Sequence, residues 1–265
     1  MNHTVDKNNP RQLRQSIRSG DFSDVTSGVA PGYVQCNLVI VPADYAADFM
    51  SFCQRNPKPC PLLAISPEPG DPTLPDLGVD IDVRTDAPLY RRWENGCATA
   101  TPTNLMDAWQ DDHVAFALGC SFSFEEALLA AGIEIRNITE GVNVPMYRTD
   151  IACQPAGAFA GNMVVSMRPM IPKDAIRAIQ ICSRFPSVHG APIHFGAPEA
   201  IGISNLDTPD FGARVTVHSE EVPVFWACGV TPQMALEQAK LPLAFTHYPG
   251  YMLITDTRNA ELAVL

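Results

Sequence analysis

Two cysteines recur in one local pattern. Val114 to Leu128, in which Cys120 is followed by Ser121 and Ser123, lies over Val222 to Leu236, in which Cys228 is followed by Gly229 and Thr231. The offset is constant (228 − 120 = 108) and no gap is needed. Each copy reads as an apolar strand, a tight turn with the cysteine, Ser123 or Thr231 as N-cap, and a helix. A thiol at a helix N-terminus lies beside unpaired N–H groups and the positive end of the dipole, which favour an anion and lower its pKa. The pattern predicts two anion-friendly turns, and the same residues also fit buried structural thiols behind ordinary caps. If the two units are adjacent in one sheet, Cys120 and Cys228 face each other across one pocket.

Basic side chains come next. Asp82 to Trp93 packs Arg84, Arg91 and Arg92 together with Asp82, Asp86 and Tyr90. Read as a strand, it sends Asp82, Arg84 and Asp86 to one face, a carboxylate clamp with its own counter-charges or an edge strand with surface ion pairs. Tyr147-Arg148 and Arg168 sit among apolar residues, where an unpaired charge is costly. Arg84, Arg148 and Arg168 are therefore expected to converge on one cavity. Arginine suits that task, because its planar fork grips a carboxylate with two hydrogen bonds. The 18 basic residues include only four lysines (7, 58, 173 and 240), leaving 14 arginines, a bias that a GC-rich genome would also produce.

His189 and His194 form the one close histidine pair, in a Gly/Pro loop. Imidazole titrates near neutrality, so proton transfer or substrate hydrogen bonding is the first expectation. A divalent metal stays possible there, although no neighbouring Cys, Asp or Glu completes a familiar ligand set, and no cofactor motif is present.

The elements that must position these groups alternate. A short basic helix over Gln12–Arg18 precedes a strand over Tyr33–Val41. A helix then opens at Pro42-Ala-Asp44, with Tyr45, Phe49, Phe52 and Cys53 on one face. Proline-rich stretches from 56 to 61 and from 67 to 75 predict an ordered loop or flap. Strands are expected at 161–170, 243–247 and 251–255, and a helix from Ile171 through Cys182. The implied class is α/β, with a mixed-sheet αβα main domain formed by 1–133 and 217–265, interrupted by a smaller α+β domain at 134–216.

Composition bounds the partners. A net charge of −11 in 265 residues without a basic run argues against nucleic acid and toward a small acidic substrate. The eight cysteines are scattered through apolar segments, and Met1 to Phe22 carries no apolar h-region. Reduced thiols, no signal peptide, no membrane span and a cytoplasmic location are the expectations. A homo-oligomer is left open.

Ordered motifs run through nearly the whole chain: Gly32-Tyr-Val-Gln35-Cys-Asn37, Asn56-Pro-Lys-Pro-Cys60-Pro, Arg84-Thr-Asp86, Gly119-Cys-Ser-Phe-Ser-Phe-Glu125, Val144-Pro-Met-Tyr-Arg-Thr149, Val165-Ser-Met-Arg-Pro169, His189-Gly-Ala-Pro-Ile-His194 and Cys228-Gly-Val-Thr-Pro-Gln233. Together they resemble the D-glutamate cyclase family, whose bacterial members are hydro-lyases of uncharacterised function. One stretch departs from that pattern. Where the family usually reads His-Ala-Pro-Gly-His, this chain has His247-Tyr-Pro-Gly-Tyr251, a tyrosine at the second histidine.

The resemblance implies a lyase that closes D-glutamate, or a related acidic compound, to a lactam such as 5-oxo-D-proline. Under it, Arg84 with Asp86, Arg148 or Arg168, Tyr147 and Tyr251 would hold substrate. The turns around Cys120-Ser121 and Cys228-Gly229 would offer donors to an oxyanion, and His189, His194 or His247 would move protons. Two rivals stand beside it. Two thiols from related halves suit a cofactor-independent amino-acid racemase, and the change at Tyr251 suits a small-carboxylate-binding protein without turnover.

Overall fold

A computed structural model describes residues 6–264; the first five residues of the polar N-terminal stretch lie outside it. Helix α1 (Pro10–Ser19) starts at an Asn9 cap and ends on Gly20 in the left-handed region. Strand β1 (Tyr33–Pro42) is buried along most of its length. Its alternate residues Val34, Cys36, Leu38 and Ile40 enter one core and Val39 and Val41 another, as a period of two requires. Gln35 and Asn37 share the face of Val39 and Val41, toward the other end of the strand.

Helix α2 (Ala43–Arg55) covers that face. Phe49 meets Phe116 edge-on at 4.9 Å and Phe159 at 5.1 Å. The opposite face is covered by loop, with Leu74, Leu77, Ile81 and Val83 packed on the sheet. The proline-rich stretch is therefore an ordered cover. Four strands follow: β2 (Leu62–Ile65), β3 (Tyr90–Glu94), β4 (Cys97–Ala100) and β5 (His113–Gly119).

Beyond β5 come α3 (Phe122–Ala130), α4 (Arg136–Thr139), β6 (Met146–Ala152), β7 (Asn162–Met170), α5 (Pro172–Cys182) and β8 (His194–Phe195). The chain closes with β9 (Val222–Ala227), α6 (Thr231–Ala239), β10 (Ala244–His247) and β11 (Leu253–Arg258). The first sheet runs β2-β5-β1-β10-β3-β4, with β11 also on β1, and the second runs β6-β7-β9-β8. The mixed α/β class is as expected.

Strand direction is not. Every pairing in both sheets is antiparallel, so neither sheet is mixed. The related strands β5 and β9 also fall in different sheets, and β9 extends the second sheet beyond the expected limit at residue 216. Alternation of strand and helix suggested parallel crossovers, but these helices cross between sheets.

That crossing is reciprocal. Helix α3 leaves the first sheet and buries Phe124 and Leu128 with Val224 and Trp226 of the second. Helix α6 leaves the second sheet and buries Ala235 and Leu236 with Val39, Val41 and Trp93 of the first. The two cysteine turns are thereby brought together. Gly119, at the end of β5, permits the 186–188 turn to lie against the strand, since a Cβ there would stand 2.1 Å from the Ser187 carbonyl oxygen. Gly119→Ala is expected to displace that turn and lower stability by about 1–3 kcal/mol, as overpacking does; a urea midpoint equal to wild type would refute this contact.

Candidate active site

Cys120, Ser121, Cys228 and Gly229 line one cavity with His189, His247, Asn37 and Asn143. The anticipated approach of the two cysteine turns is present, though across two sheets. The cavity is tight, ≈ 20 Å³, room for the centre of about one water molecule. No Asp, Glu, Lys or Arg lines it. An anion inside would be held by dipoles and by the field of Arg168 from one layer behind.

The turns are alike in detail. The backbone N–H of Phe122 favours the thiolate of Cys120, and that of Val230 the thiolate of Cys228. The N–H groups of Ser121 and Gly229 donate to no protein acceptor among the described residues. Ser123 and Thr231 do not cap. The helix starts are at Ser121 and Val230 without side-chain capping bonds, and the Thr231 hydroxyl instead donates to the Cys228 carbonyl at 2.7 Å.

Nor are the thiols activated. Burial pushes Cys120 up to about 12 and Cys228 up to about 11, outweighing the N–H donors and the field of Arg168. Both are protonated at neutral pH, against the expectation from helix position. The Cys228 thiol points at the Met146 sulfur, 3.4 Å away.

The two buried imidazoles are poised differently. Nδ1 of His189 lies 2.7 Å from the Lys58 carbonyl oxygen. A carbonyl can only accept, so Nδ1 carries the proton and Nε2 keeps a lone pair. The backbone at His189 is left-handed, with φ of 81°. Nδ1 of His247 lies 3.1 Å from the Leu38 nitrogen and 3.3 Å from the Leu38 oxygen, so the Leu38 backbone holds the ring in either tautomer. Burial lowers both to about 4, so both are neutral near pH 7, and His189 offers a base through Nε2.

Arg168 stands one layer behind. It is fully buried, stacked between Phe124 and Trp226, and bound to Glu125 and the Ser166 hydroxyl. Its Nη2 also donates to the Ser121 oxygen at 3.0 Å, which leaves the Ser121 hydrogen free to point into the cavity.

The other expected substrate-binding residues lie elsewhere. Arg84 binds Asp82, two residues away, at 2.7 Å in the loop cover. Buried Asp86 is held by Arg18 at 2.6 Å. Exposed Arg148 lies between Glu237 at 3.5 Å and Asp210 at 3.9 Å. The three arginines do not converge, because each satisfies its charge against a local carboxylate. Tyr147 turns into the second sheet's core and donates to the Leu206 carbonyl.

His194 is bound to the Ala197 carbonyl beside Phe225, away from the cavity, so it does not act with His189. Among the described residues no three His, Cys, Asp or Glu side chains gather as a metal-ligand group. Tyr251 stacks edge-on against Tyr248 at 5.6 Å; its neighbours Gly250 and Met252 line the cavity, and it does not.

Asn37 was missed as a site residue. Its amide donates to the Gly119 carbonyl at 2.8 Å and lies so near Gly229 that a Cβ there would stand 2.0 Å from it. The signal was present: an amide in the middle of an apolar strand.

Comparison with known proteins agrees with this frame. A family model described as D-glutamate cyclase matches residues 114–256, which include both cysteine turns, His189 and His247. A protein of Rhizobium johnstonii is 59% identical over 254 residues, covering 96% of this chain and 94% of its own. One of Bordetella petrii is 56% identical over 265 residues, covering 100% of both. The chain belongs to the D-glutamate cyclase family. Both relatives bear the name "Putative hydro-lyase". A solved nitrogen repressor-like protein of Methanococcus jannaschii overlays with a TM-score of 0.38 at 9% identity, covering 93% of this chain and 96% of that one, too distant to carry an argument.

For this member of the D-glutamate cyclase family, two tests follow from the site. The unfolded chain takes up protons on His189 and His247 below pH 6.5, whereas the folded protein resists until about 4. Stability is therefore expected to fall with pH through that window, by up to about 3 kcal/mol per imidazole. Urea titrations at pH 7.5 and 4.5 check this, and His189→Asn should reduce the difference; a flat profile would contradict it. Arg168→Met strands Glu125 in the interior and should cost roughly 3–5 kcal/mol. A stable, merely inactive variant would make Arg168 a substrate ligand instead.

Proposed function

We propose that the chain is a hydro-lyase that closes D-glutamate, or a related acidic compound, to a lactam such as 5-oxo-D-proline with release of water. The amine attacks the γ-carboxyl carbon, a C–N bond forms and a C–O bond breaks. The nitrogen gives up two protons in all, and the departing oxygen takes up two. His189 Nε2 suits the first removal, because its lone pair is fixed by the bond from Nδ1 to Lys58. His247, in the tautomer in which Nδ1 accepts from the Leu38 N–H, would deliver a proton from Nε2 to the leaving oxygen.

The Ser121 and Gly229 N–H groups and the Ser121 hydroxyl would stabilise the developing oxyanion. The observation that carries the reading is this pair of neutral imidazoles in one cavity lined by no charged side chain. Family membership supplies the substrate class.

The shared cavity also favours a second reading, a two-thiol racemase, since Cys120 and Cys228 lie on it together. Their raised pKa values weigh against it. Exchange of the substrate α-proton with deuterated solvent separates the two, because cyclisation alone leaves that proton in place. The third reading, a binding protein without turnover, loses its motive, because Tyr251 stands outside the cavity.

Incubation with D- and L-glutamate and aspartate, with and without divalent metal, should yield 5-oxoproline from D-glutamate. His189→Asn should depress kcat by roughly 10²–10⁴-fold while the protein stays folded. No lactam from any of these diacids would remove the cyclase reading.

A further inference from the structure

A groove of ≈ 360 Å³ lies between the 28–33 loop and α3, and Phe122 lines both this groove and the cavity. Gln35 and Asn37, two apart on one face of β1, repeat the relation, Gln35 at the groove and Asn37 at the cavity. The cavity as it stands is smaller than a five-carbon diacid, so under the function proposed above a ligand enters only as Phe122 moves aside.

The groove has an unmet demand. Gln35 and Asn259 border it, and each has a buried side-chain oxygen that no donor satisfies among the described residues. Neither amide can be flipped. Gln35 Nε2 donates to the carbonyls of Thr26 and Val29 at 2.9 and 3.0 Å, and Asn259 Nδ2 donates to Glu126 at 2.8 Å. The orphan atoms are therefore acceptors, and a buried acceptor without a donor is costly.

Opposite charge stands close by. The guanidinium of Arg258 lies over the Tyr33 ring at 3.9 Å and has no carboxylate within 4.0 Å among the described residues. It and Glu126 both flank Gly32 without pairing.

We propose that this groove docks an α-amino acid on its way to the cysteine cavity. The ammonium goes to Glu126, Gln35 Oε1 and Asn259 Oδ1, the carboxylate to Arg258, and Phe122 is the gate between groove and cavity. The choice of an acidic amino acid as cargo rests on the function proposed above; the route does not.

Alkylation by iodoacetamide tests both, with Cys120 and Cys228 quantified by mass spectrometry against exposed Cys97. Leu129→Trp and Ile138→Trp, which fill the groove from its outer edge, should slow labelling of both cavity thiols severalfold and leave Cys97 unchanged. Phe122→Ala should speed it. D-Glutamate should protect both thiols, and Arg258→Gln should raise the half-protecting concentration about tenfold, the order expected for one charge-assisted hydrogen bond.

Wild-type labelling rates in both folded tryptophan variants would overturn the route. Slowed labelling without protection by D-glutamate, D-aspartate, L-glutamate or glycine would overturn amino-acid docking, as would an unchanged half-protecting concentration in Arg258→Gln. Protection without formation of 5-oxoproline would support the docking site while removing the cyclase reading.

Discussion

The site depends on the exchange of helices between the two sheets. Helix α3 is tethered to β5 of the first sheet but is buried against Trp226 of the second, and α6 does the converse against Val39 and Val41. Neither helix can shift without exposing apolar surface on the sheet it does not belong to. Burial of each such side chain is worth about 1.5–3 kcal/mol, so the turns at the two helix starts are held jointly. A cavity between two sheets acquires, in this way, walls as fixed as those inside one core.

That same packing decides the protonation states. A helix start favours a thiolate by a modest amount at an exposed terminus, whereas full burial penalises any charge by several pKa steps. At Cys120 and Cys228 burial prevails, and the thiols stay neutral. At His189 and His247 it acts in the opposite sense on pKa but to the same end, an uncharged ring. The interior tolerates one full charge pair near the site, Arg168 with Glu125, because the two meet directly and Ser121 and Ser166 take up further N–H groups.

Local pattern made much of the fold legible. The strand read at Tyr33–Val41 ends one residue later, and the strand and helix read from 161 to 182 are Asn162–Met170 and Pro172–Cys182. Periodicity and proline placement act within a few residues, so a single sequence displays them. The sheet to which β9 belongs was not legible, because an apolar strand pairs equally well with any edge of the right length.

The site was legible only in part, and for the same reason. Cys120, Cys228, Ser121, Gly229, His189 and His247 meet, as their motifs suggested. Arg84 shows why, because a neighbouring Asp82 looks identical on paper as a fellow ligand and as a partner that cancels the charge. The Lys58 carbonyl, which sets the tautomer of His189 from 131 positions away, carries no mark in the sequence at all, since every residue has such a group.

An acidic chain with a neutral cavity is a coherent arrangement for an acidic ligand. Cations lining the cavity would bind the carboxylates of substrate and product alike, which deepens both wells and leaves the barrier between them unchanged. Neutral donors such as the Ser121 hydroxyl and the turn N–H groups gain most where charge concentrates on a single oxygen, as in a tetrahedral intermediate. The imidazoles respond in the same direction. A carboxylate brought beside a buried neutral ring favours its protonated form, so under the proposed function the incoming ligand would itself strengthen His189 as a base. A lining arginine would act with the opposite sign and weaken that base, whereas the ligand's carboxylate would supply the favourable field only while it is bound.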